Sequence, residues 1–423
     1  MNIVVLGLGY VGAPLALELS KHHSVMGFDI DESRIAELSR GVDRTHEISS
    51  QALNQAALNL TANPSCLGQA DLIIVTVPTP VDASHVPDLS LVLAASTLVA
   101  RHLKQGATVV YESTVYPGVT EDLCIPQLEA ISGRKHLIDF YVGYSPERIN
   151  PGDKTNTLTT TTKIISGDCD KTTNLLEDVY GKVTKIYRAQ SIKIAEAAKV
   201  MENVQRDVNI ALVNELSQLL SKLDIDTADV LQAARSKWNF LDFRPGLVGG
   251  HCISVDPYYL THKAAESGFT PKLILAARET NDSMPDFIVN KLLHKMTKHN
   301  LLHAETVVTI LGVTFKENVP DIRNSKIIDI YKKLMALGLT VQVVDSVANA
   351  SEVAHEYGVY LVPYTQAKKA DAILFAVPHQ DDAQLGWDLV SDLAKPAQTL
   401  VVFDLKATLD KTKVPQFVEL MRP

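Results

Sequence analysis

The chain has 423 residues, 46% of them hydrophobic and 21% charged, with a formal net charge of −9 and a pI near 5.8. Because this length exceeds one ordinary hydrophobic core, we expect two or three domains. The acidic balance argues against a nucleic-acid surface, although a local basic pocket for a phosphorylated ligand is compatible with it, and no apolar run reaches the roughly 18 residues of a membrane span.

The first residues and the cysteines set expectations about the compartment. The opening MNIVVLGLGYVGAPLALEL lacks a basic leading segment and is interrupted by glycines, so we interpret it as folded structure and expect a cytoplasmic protein. The chain contains four cysteines, widely separated and without a CxxC pair. Neither a disulfide framework nor a zinc ribbon is therefore expected.

The N-terminal third alternates short β-branched runs with stretches of helical length. The runs lie at 2–7, 24–29, 71–78, 107–113 and about 137–144. Continuous apolar strands separated by helices indicate a parallel sheet that is covered on both faces.

The middle of the chain changes to a helical pattern at about residue 190. The run SIKIAEAAKVMENVQRDVNIALVNELSQLLSKL contains neither proline nor glycine. Its length predicts a spine helix that links two domains, and its apolar stripe is available for packing against another copy of the chain.

The strand pattern returns in the last third. Apolar runs lie at 306–313, 339–345, 371–378 and 399–405. The predicted fold class is therefore α/β, with two Rossmann-like doubly wound domains joined by a central helical domain. We place the domains at 1–190, 191–302 and 303–423.

A glycine motif follows the first predicted strand directly. Gly7, Gly9 and Gly12 form GxGxxG between that strand and a helical segment, as in dinucleotide-binding loops. Asp29 ends the next strand, where a carboxylate can accept hydrogen bonds from ribose hydroxyls and repel a 2′-phosphate. NAD is thus favoured over NADP, with the reservation that Arg34 can also contact the adenosine half. The alternative is a glycine-rich turn without a ligand.

Other polar residues fall at the ends of predicted elements. Thr79 and Thr114 follow strands, as does Glu147, and the carboxyl ends of strands are where a doubly wound sheet binds ligands. Lys199 and Asn203 stand one helical turn apart on the spine helix and project to the same side. Taken alone, each of these residues is compatible with an ordinary polar surface.

The stretch GGHCISVDPYY at 249–259 has three interpretations. Cys252 can be a small buried hydrophobe, a metal ligand together with His251, or a nucleophile. If a helix begins at this cysteine, Cys252 and Asp256 share one face, and the helix N-terminus favours the thiolate. Further metal ligands at suitable spacing are lacking, and the adjacent glycines allow a ligand to come close. The context favours the nucleophile.

Several separated motifs, taken together, resemble the UDP-glucose/GDP-mannose dehydrogenase family of nucleotide-sugar 6-dehydrogenases. The resemblance covers essentially the whole length, and GGHCISVDPYYLTHKA looks like the branch that acts on UDP-N-acetylhexosamines. The motifs are GLGYVG at 7–12, STVYPG at 113–118, SPERINPG at 145–152, EAAKVMEN at 196–203, GGHCISVD at 249–256 and FKENVPDIRNS at 315–325.

The resemblance implies a four-electron oxidation of the C6 alcohol of a UDP-sugar to a carboxylate, with two NAD molecules used in turn. A thiolate is needed because an aldehyde lacks the hydroxyl hydrogen that begins the second oxidation, whereas its thiohemiacetal can lose a hydride to give a thioester. The implied substrate is UDP-N-acetylglucosamine or UDP-N-acetylgalactosamine, and the implied pathway is surface polysaccharide biosynthesis. UDP-glucose and UDP-N-acetylmannosamine are the alternative substrates.

The family's functional residues carry over to matching positions of this chain. The resemblance implies Cys252 as nucleophile, Lys199 and Asn203 as stabilisers of oxyanions, Asp256 and Glu147 for activation of water and acid/base work, and Thr114 for placing water or cofactor. For NAD it implies Gly7, Gly9, Tyr10, Val11, Gly12, Asp29, Arg34, Thr79, Thr114 and Arg323. For the nucleotide sugar it implies Arg148, Lys199, Asn203, Arg244, Gly249 and Lys316. No resident metal is implied.

Two features qualify this correspondence. The UDP-glucose branch carries a second glutamate four residues after the one that Glu147 matches, and Pro151 stands at that place here. Arg244 lies in a loop that varies within the family, where it can serve its own or a neighbouring subunit's site.

We also expect a homodimer through the spine helix. A different class of function, a redox-sensing NAD-binding protein without turnover, would need only a reactive thiol and a bound nucleotide.

Overall fold

The protein is described by a computed structural model that covers residues 1–82, 84–149, 152–153, 155–250 and 252–423. Pro151 and His251, both singled out in the sequence, lie outside the described residues. Contacts divide the chain into two compact units. Unit 1 comprises 1–203 and 258–270, and unit 2 comprises 204–257 and 271–423.

Unit 1 is built on an eight-stranded sheet. Its strands are β1 Asn2–Leu6, β2 Ser24–Phe28, β3 Asn59–Thr61, β4 Leu72–Val75, β5 Thr108–Tyr111, β6 Tyr141–Tyr144, β7 Lys163–Gly167 and β8 Ile186–Arg188. Their order is β3-β2-β1-β4-β5-β6-β7-β8, and the first six follow the dinucleotide-binding arrangement. All pairs are parallel except β6 with β7, which is antiparallel. Every residue of β4 and β5 is buried, as expected for a sheet covered on both faces.

Helices connect the parallel strands of unit 1. They are α1 Gly12–Ser20, α2 Glu32–Ser39, α3 Ser50–Gln55, α4 Ser90–His102, α5 Ile125–Ser132 and α6 Asp170–Tyr180. One core cluster of this unit includes Val5 and Ile74 of the sheet together with Leu15 of α1 and Leu176 of α6. Burial of these side chains, rather than helix propensity, supplies most of the stability of such short helices.

Unit 2 contains a five-stranded parallel sheet in the order β10-β9-β11-β12-β13. The strands are β9 Val307–Leu311, β10 Thr340–Val344, β11 Ala372–Phe375, β12 Leu400–Asp404 and β13 Val418–Met421. Its helices, numbered in chain order around two helices that span both units, are α8 Thr227–Ala234, α10 Lys272–Lys298, α11 Lys326–Ala336, α12 Ala350–Tyr357, α13 Gln380–Leu385 and α14 Trp387–Leu393.

Helix α7, Ile192–Lys222, and helix α9, Cys252–Glu266, each carry residues of both units. The 31-residue α7 is the predicted spine helix. Pro257 lies inside α9 and cannot donate to the carbonyl of Ile253. Arg278 Nη1 donates to that carbonyl at 3.4 Å, so the α9 backbone acceptor is satisfied from α10.

All nine strands predicted from the apolar runs are present, and the predicted α/β class with two Rossmann-like sheets and a long central helix is confirmed. The short strands β3, β7, β8 and β13 were not predicted. Among the described residues, none of the helices combines the length and the apolar character needed to cross a membrane.

Candidate active site

The glycine loop between β1 and α1 gives each of its three glycines different surroundings. Gly7 has φ of +95°, which disfavours other residues. A Cβ at Gly12 would lie 1.8 Å from the Gly7 carbonyl oxygen and 2.4 Å from Thr76 Oγ1. A Cβ at Gly9 would meet nothing within 4 Å, so this edge is open to a ligand. The loop therefore fits a dinucleotide pyrophosphate at the N-terminus of α1.

Asp29 stands directly beside this loop. Its Oδ2 accepts a hydrogen bond from the Leu8 backbone N–H at 2.7 Å, which holds the carboxylate at the loop. Arg34 is buried, donates through Nε to the Leu8 carbonyl at 2.8 Å and pairs with Asp43 at 2.7 Å. Arg34 Nη1 has no hydrogen-bond partner among the described residues. The structure thus gives Arg34 a role in supporting the loop, and its contact with cofactor stays a prediction.

The ends of β4, β5 and β6 are joined by side-chain hydrogen bonds. Ser113 Oγ donates to the Val77 carbonyl at 2.6 Å, and Tyr144 Oη donates to the Ser113 carbonyl at 3.1 Å. Thr79 is buried and Thr114 is half-buried in these segments, at the same edge of the sheet as the glycine loop. Tyr10 and Val11 of the loop are half-buried as well.

The start of α7 is fastened to the segment after β5. Glu196 is fully buried and accepts hydrogen bonds from the backbone N–H groups of Gly118 at 2.6 Å and Thr120 at 3.0 Å. Burial raises the pKa of Glu196 to about 7, against the opposing effect of these hydrogen bonds. Lys199 and Asn203 follow on the same helix and are 6% and 5% exposed. They are therefore not part of a solvated polar stripe. Glu196 was missed from the sequence, although its spacing of three residues from Lys199 was visible.

Glu147 belongs to a buried cluster of charged groups after β6. Its Oε1 accepts hydrogen bonds from the N–H groups of Arg148 at 2.6 Å and Ile149 at 2.7 Å, and its Oε2 lies 3.6 Å from Lys163 Nζ. Lys163 Nζ donates to Glu112 Oε2 at 2.8 Å, and Tyr180 Oη donates to Glu112 Oε1 at 2.5 Å. Sequence patterns gave no indication of this arrangement, because its members come from the segments after β5 and β6, from β7 and from α6.

Arg148 points its guanidinium away from that cluster. Nη2 pairs with Glu202 of α7 at 2.7 Å, and Nη1 donates to the Thr162 carbonyl at 2.7 Å. The Arg148 side chain is 28% exposed, so it remains accessible from solvent. Its predicted contact with a nucleotide sugar is compatible with this position and stays a prediction.

In unit 2, helix α9 begins at Cys252, as the nucleophile interpretation requires. Cys252 is half-buried at the helix N-terminus, and Asp256 is 1% exposed one turn further on. The metal interpretation involves His251, which is outside the described residues. Within the part of the chain that the structure describes, no group of three or more His, Cys, Asp or Glu could hold a metal ion.

The glycines before Cys252 lie against the segment 315–325. A Cβ at Gly249 would lie 2.9 Å from the Asn324 carbonyl oxygen. Gly250 has φ of +76°, and a Cβ there would lie 2.8 Å from the ring of Phe315. The N–H of Gly250 donates to the Arg323 carbonyl at 3.1 Å. The Arg323 side chain makes a bidentate pair with Asp321, at 2.9 and 2.5 Å. The structure thus brings two predicted motifs of unit 2 together.

A cavity of about 790 Å³ opens at the carboxyl end of β12 in unit 2. Arg244, which is 59% exposed, lies at this cavity, and Lys316 is half-buried in the neighbouring segment. Cations outnumber acids among its charged lining residues, which suits a phosphorylated ligand. The cations are Arg235, Arg244, Lys406, Lys411 and Arg422, and the acids are Asp229, Glu317 and Asp410.

The second Rossmann-like sheet repeats part of the first site. Gly312 has φ of +88° after β9, and Asp345 at the end of β10 accepts the Val313 N–H at 2.6 Å, as Asp29 accepts that of Leu8. Thr314 and Glu317, however, stand where the first loop has Gly9 and Gly12. His379 covers Asp345 at 3.2 Å, and both side chains are buried. Burial would raise the pKa of Asp345, but His379 and backbone N–H groups lower it overall.

Comparison with known proteins shows a family match along most of the chain. The chain matches the UDP-glucose/GDP-mannose dehydrogenase family in its NAD-binding domain over residues 1–184, its central domain over 193–283 and its UDP-binding domain over 309–411. The chain belongs to this family. It is accordingly an NAD-dependent oxidoreductase of nucleotide sugars, and Gly7, Gly9 and Gly12 form the loop that suits its NAD.

Individual relatives extend the match to almost the whole length. The chain is 46% identical to UDP-N-acetyl-D-glucosamine 6-dehydrogenase of Pseudomonas aeruginosa, over 98% of each chain. It is 48% identical to the Salmonella typhi protein of the same name, over 97% of this chain and 96% of the other. Among solved structures, a UDP-D-ManNAc dehydrogenase from Pyrococcus horikoshii superimposes with a TM-score of 0.89 at 29% identity, covering 100% and 99% of the two chains.

Proposed function

We propose that the protein oxidises the C6 alcohol of a UDP-N-acetylhexosamine, UDP-N-acetylglucosamine or UDP-N-acetylgalactosamine, to the uronic acid. The observation that carries the proposal is Cys252 at the first residue of α9 with Asp256 buried one turn later. Relatives named for UDP-N-acetylglucosamine are 46–48% identical to this chain, whereas those named for UDP-N-acetylmannosamine are 31–32% identical. This difference supports the N-acetylglucosamine branch over the mannosamine alternative.

The proposed reaction divides a four-electron oxidation into steps that a thiol can connect. NAD, when bound, accepts the hydride in each two-electron oxidation. The C6 alcohol loses a hydride and a proton to become an aldehyde, and the Cys252 thiolate then adds to the aldehyde carbon. The thiohemiacetal loses its hydroxyl proton and a second hydride and becomes a thioester. Water breaks the C–S bond, which releases the carboxylate and returns the thiol.

Each residue role in this proposal follows from its chemistry. The N-terminus of α9 favours the thiolate of Cys252. Lys199 supplies a cation and Asn203 an amide donor for the oxygen anions that form at C6, and loss of one such donor typically costs about a hundredfold or more in rate. Asp256 and Glu147 act on the proton of the attacking water.

Other roles concern binding. Thr79, Thr114, Tyr10 and Val11 line the NAD side, and Arg323 contributes to the cofactor from the segment 315–325. Arg148, Arg244, Gly249 and Lys316 bind the nucleotide sugar in this proposal. The cationic cavity of unit 2 supports a diphosphate ligand there, because arginine and lysine are the usual partners of phosphate oxygens.

The proposal also covers the oligomeric state of the protein, its pathway and its cellular compartment. The protein works as a homodimer through α7, whose apolar side chains Leu212, Leu216 and Leu219 are 55%, 44% and 52% exposed. Its product serves surface polysaccharide biosynthesis, and the enzyme is cytoplasmic.

The deciding experiment counts NADH per sugar consumed, with wild type and Cys252→Ala side by side on both UDP-N-acetylhexosamines, UDP-glucose and UDP-N-acetylmannosamine. We expect two NADH per UDP-N-acetylhexosamine in wild type and no accumulation of uronic acid in the alanine variant. Cys66→Ala is the matched control, because burial raises the pKa of that half-buried thiol and it should not affect turnover. Full activity without the Cys252 thiol, or one NADH per sugar, would contradict the mechanism. No turnover on any sugar would favour the redox-sensor alternative.

A further inference from the structure

Lys163 is a buried cation that no catalytic role accounts for. Its side chain is 4% exposed, and it lies on the first residue of β7, the strand that runs antiparallel to β6. Burial of a lysine is unfavourable unless partners compensate. Two carboxylates do so here, Glu112 at 2.8 Å and Glu147 at 3.6 Å.

The two carboxylates are held differently. Glu112 is 2% exposed, and Lys163 and Tyr180 together engage both of its oxygens. Glu147 Oε1 is fixed by two backbone N–H groups, but its Oε2 is buried and lacks a hydrogen-bond partner among the described residues. Lys163 brings its cation to 3.6 Å from that oxygen. A carboxylate oxygen that lies near a cation without a hydrogen bond is stabilised by the opposite charge, and its lone pairs can still accept a proton.

We propose that Lys163 is a positioning residue for Glu147, which it orients through its positive charge, and that Glu112 serves as the counter-charge that keeps Lys163 in place. The inference rests on the proposed function, because the state of Glu147 matters to turnover only if Glu147 handles a proton of the attacking water. It adds to that function a supporting cluster behind Glu147, whose members come from the segment after β5, from β7 and from α6.

The charges of the cluster are consistent with this role. With all three groups ionised, Glu112, Glu147 and Lys163 leave one uncompensated negative charge. Burial lowers the pKa of Lys163, but Glu112 and Glu147 outweigh it and raise the pKa overall, so Lys163 stays protonated. Burial, together with Glu147, raises the pKa of Glu112. An additional proton on the cluster is therefore best placed on a carboxylate.

Other groups that face the cluster do not replace Lys163. Tyr180 of α6 donates to Glu112, and burial raises its pKa well above the ordinary value, so it stays protonated. Arg148 directs its guanidinium to Glu202 and to the Thr162 carbonyl, and only its backbone N–H contacts Glu147.

The test compares the pH profiles of kcat in wild type, Lys163→Met and Glu112→Gln. Lys163→Met removes the cation beside Glu147 Oε2, so it should lower kcat about tenfold or more and move the acid limb upward by about one pH unit, because a nearby cation favours the charged form of a carboxylate. Glu112→Gln removes a neighbouring negative charge and leaves Lys163 to Glu147 alone, so its acid limb should move to lower pH. A structural defect would not move the two limbs in opposite directions.

Controls separate folding from positioning. Lys182→Met removes an exposed lysine of the same unit, paired with Asp178 at 3.6 Å, and should leave the profile unchanged. If Lys163→Met does not fold, because Glu112 is left without a counter-charge, Lys163→Met/Glu112→Gln removes both charges, and it should fold and still show reduced kcat. KM for NAD should stay within about twofold throughout, since the glycine loop is untouched.

The outcomes distinguish this inference from the proposed function. If wild type yields two NADH per sugar but the acid limbs of both single variants coincide with that of wild type, positioning by Lys163 is wrong and the proposed function stands. A wild-type kcat and profile in the double variant would likewise overturn it. If wild type itself does not oxidise any UDP-sugar, the proposed function fails before the variants are compared.

Discussion

Gly9 and Gly12 lie three residues apart in the same loop, but a methyl group has opposite surroundings at the two positions. At Gly12 it would overlap the Gly7 carbonyl, and at Gly9 it would project into open space. The structure thus separates a glycine needed for packing from one needed for approach of a ligand.

We predict that Gly12→Ala lowers the free energy of unfolding by about 1–3 kcal/mol, because the loop and α1 must move apart. Gly9→Ala should keep the stability of wild type and weaken NAD binding. Urea unfolding and titration of NAD by calorimetry measure the two effects. Unchanged NAD affinity in Gly9→Ala would mean that the cofactor does not approach this edge.

Glu196 predicts a pH dependence of stability. Its pKa in the folded protein is about 7, above the ordinary value of 4.5, so the folded state binds a proton between these values that the unfolded state has released. Stability from this group is full below about pH 4.5 and declines as the pH rises to about 7. Relative to Glu196→Gln, wild type should therefore lose free energy of unfolding over this range, by at most about 3 kcal/mol.

Urea unfolding at about pH 5 and about pH 8 measures this difference. Glu215→Gln, an exposed position on the same helix, is the matched control and should parallel wild type at both values. Parallel curves for wild type and Glu196→Gln would contradict a raised pKa.

At the scale of elements, α7 combines two surfaces. Glu196, Lys199 and Asn203 are buried, whereas Leu212, Leu216 and Leu219 are exposed at spacings of four and three residues. A stripe at this spacing is the pattern by which helices pack against each other, and its exposure on a long helix is the physical basis for the proposed dimer.

We predict that Leu212→Glu/Leu219→Glu converts a dimer into a monomer at micromolar concentration, because association would bury two charges without partners. Sedimentation velocity gives the mass. Tyr360→Glu changes an exposed aromatic residue of unit 2 outside α7 and should leave the dimer intact. A wild-type monomer would show that the exposed stripe serves another purpose.

The strands show which parts of the fold could be predicted from the sequence and which could not. Strands such as LIIV in β4 were evident because both faces are buried and the run is apolar. Strand β3 has three residues of mixed character, and β7 begins with Lys163, whose burial depends on carboxylates distant in sequence. Thr79, Thr114 and Glu147 follow strands and Cys252 begins a helix, as the apolar runs and the glycines suggested. The hydrogen bonds and ion pairs behind them could not be predicted, because they join segments up to 78 residues apart.

At the scale of the molecule, the glycine loop belongs to unit 1 and the cationic cavity belongs to unit 2. The family match assigns NAD binding to the first region and UDP binding to the third. NAD and UDP, which both contain a diphosphate, are therefore expected to bind to different parts of the chain.

We predict that the two ligands protect different peptides from hydrogen exchange. NAD should slow exchange around 7–12 and 29–34, and UDP should slow it around 235–245 and 404–412, because these segments supply the loop and the cavity respectively. Mass spectrometry of peptides with each ligand alone makes the comparison. Protection by UDP confined to unit 1 would place the nucleotide-sugar site elsewhere.

The incomplete second loop after β9 has a consequence for the time course of catalysis. Thr314, Glu317 and the His379 lid over Asp345 leave one glycine cradle per chain among the described residues. If both oxidations occur on one chain, the first reduced dinucleotide must depart and an oxidised one must arrive while the half-oxidised sugar waits. The fraction of aldehyde that escapes would then depend on how long the half-oxidised sugar stays bound during this exchange, rather than on the rate of either hydride transfer. The covalent bond to Cys252 would determine how long it stays bound.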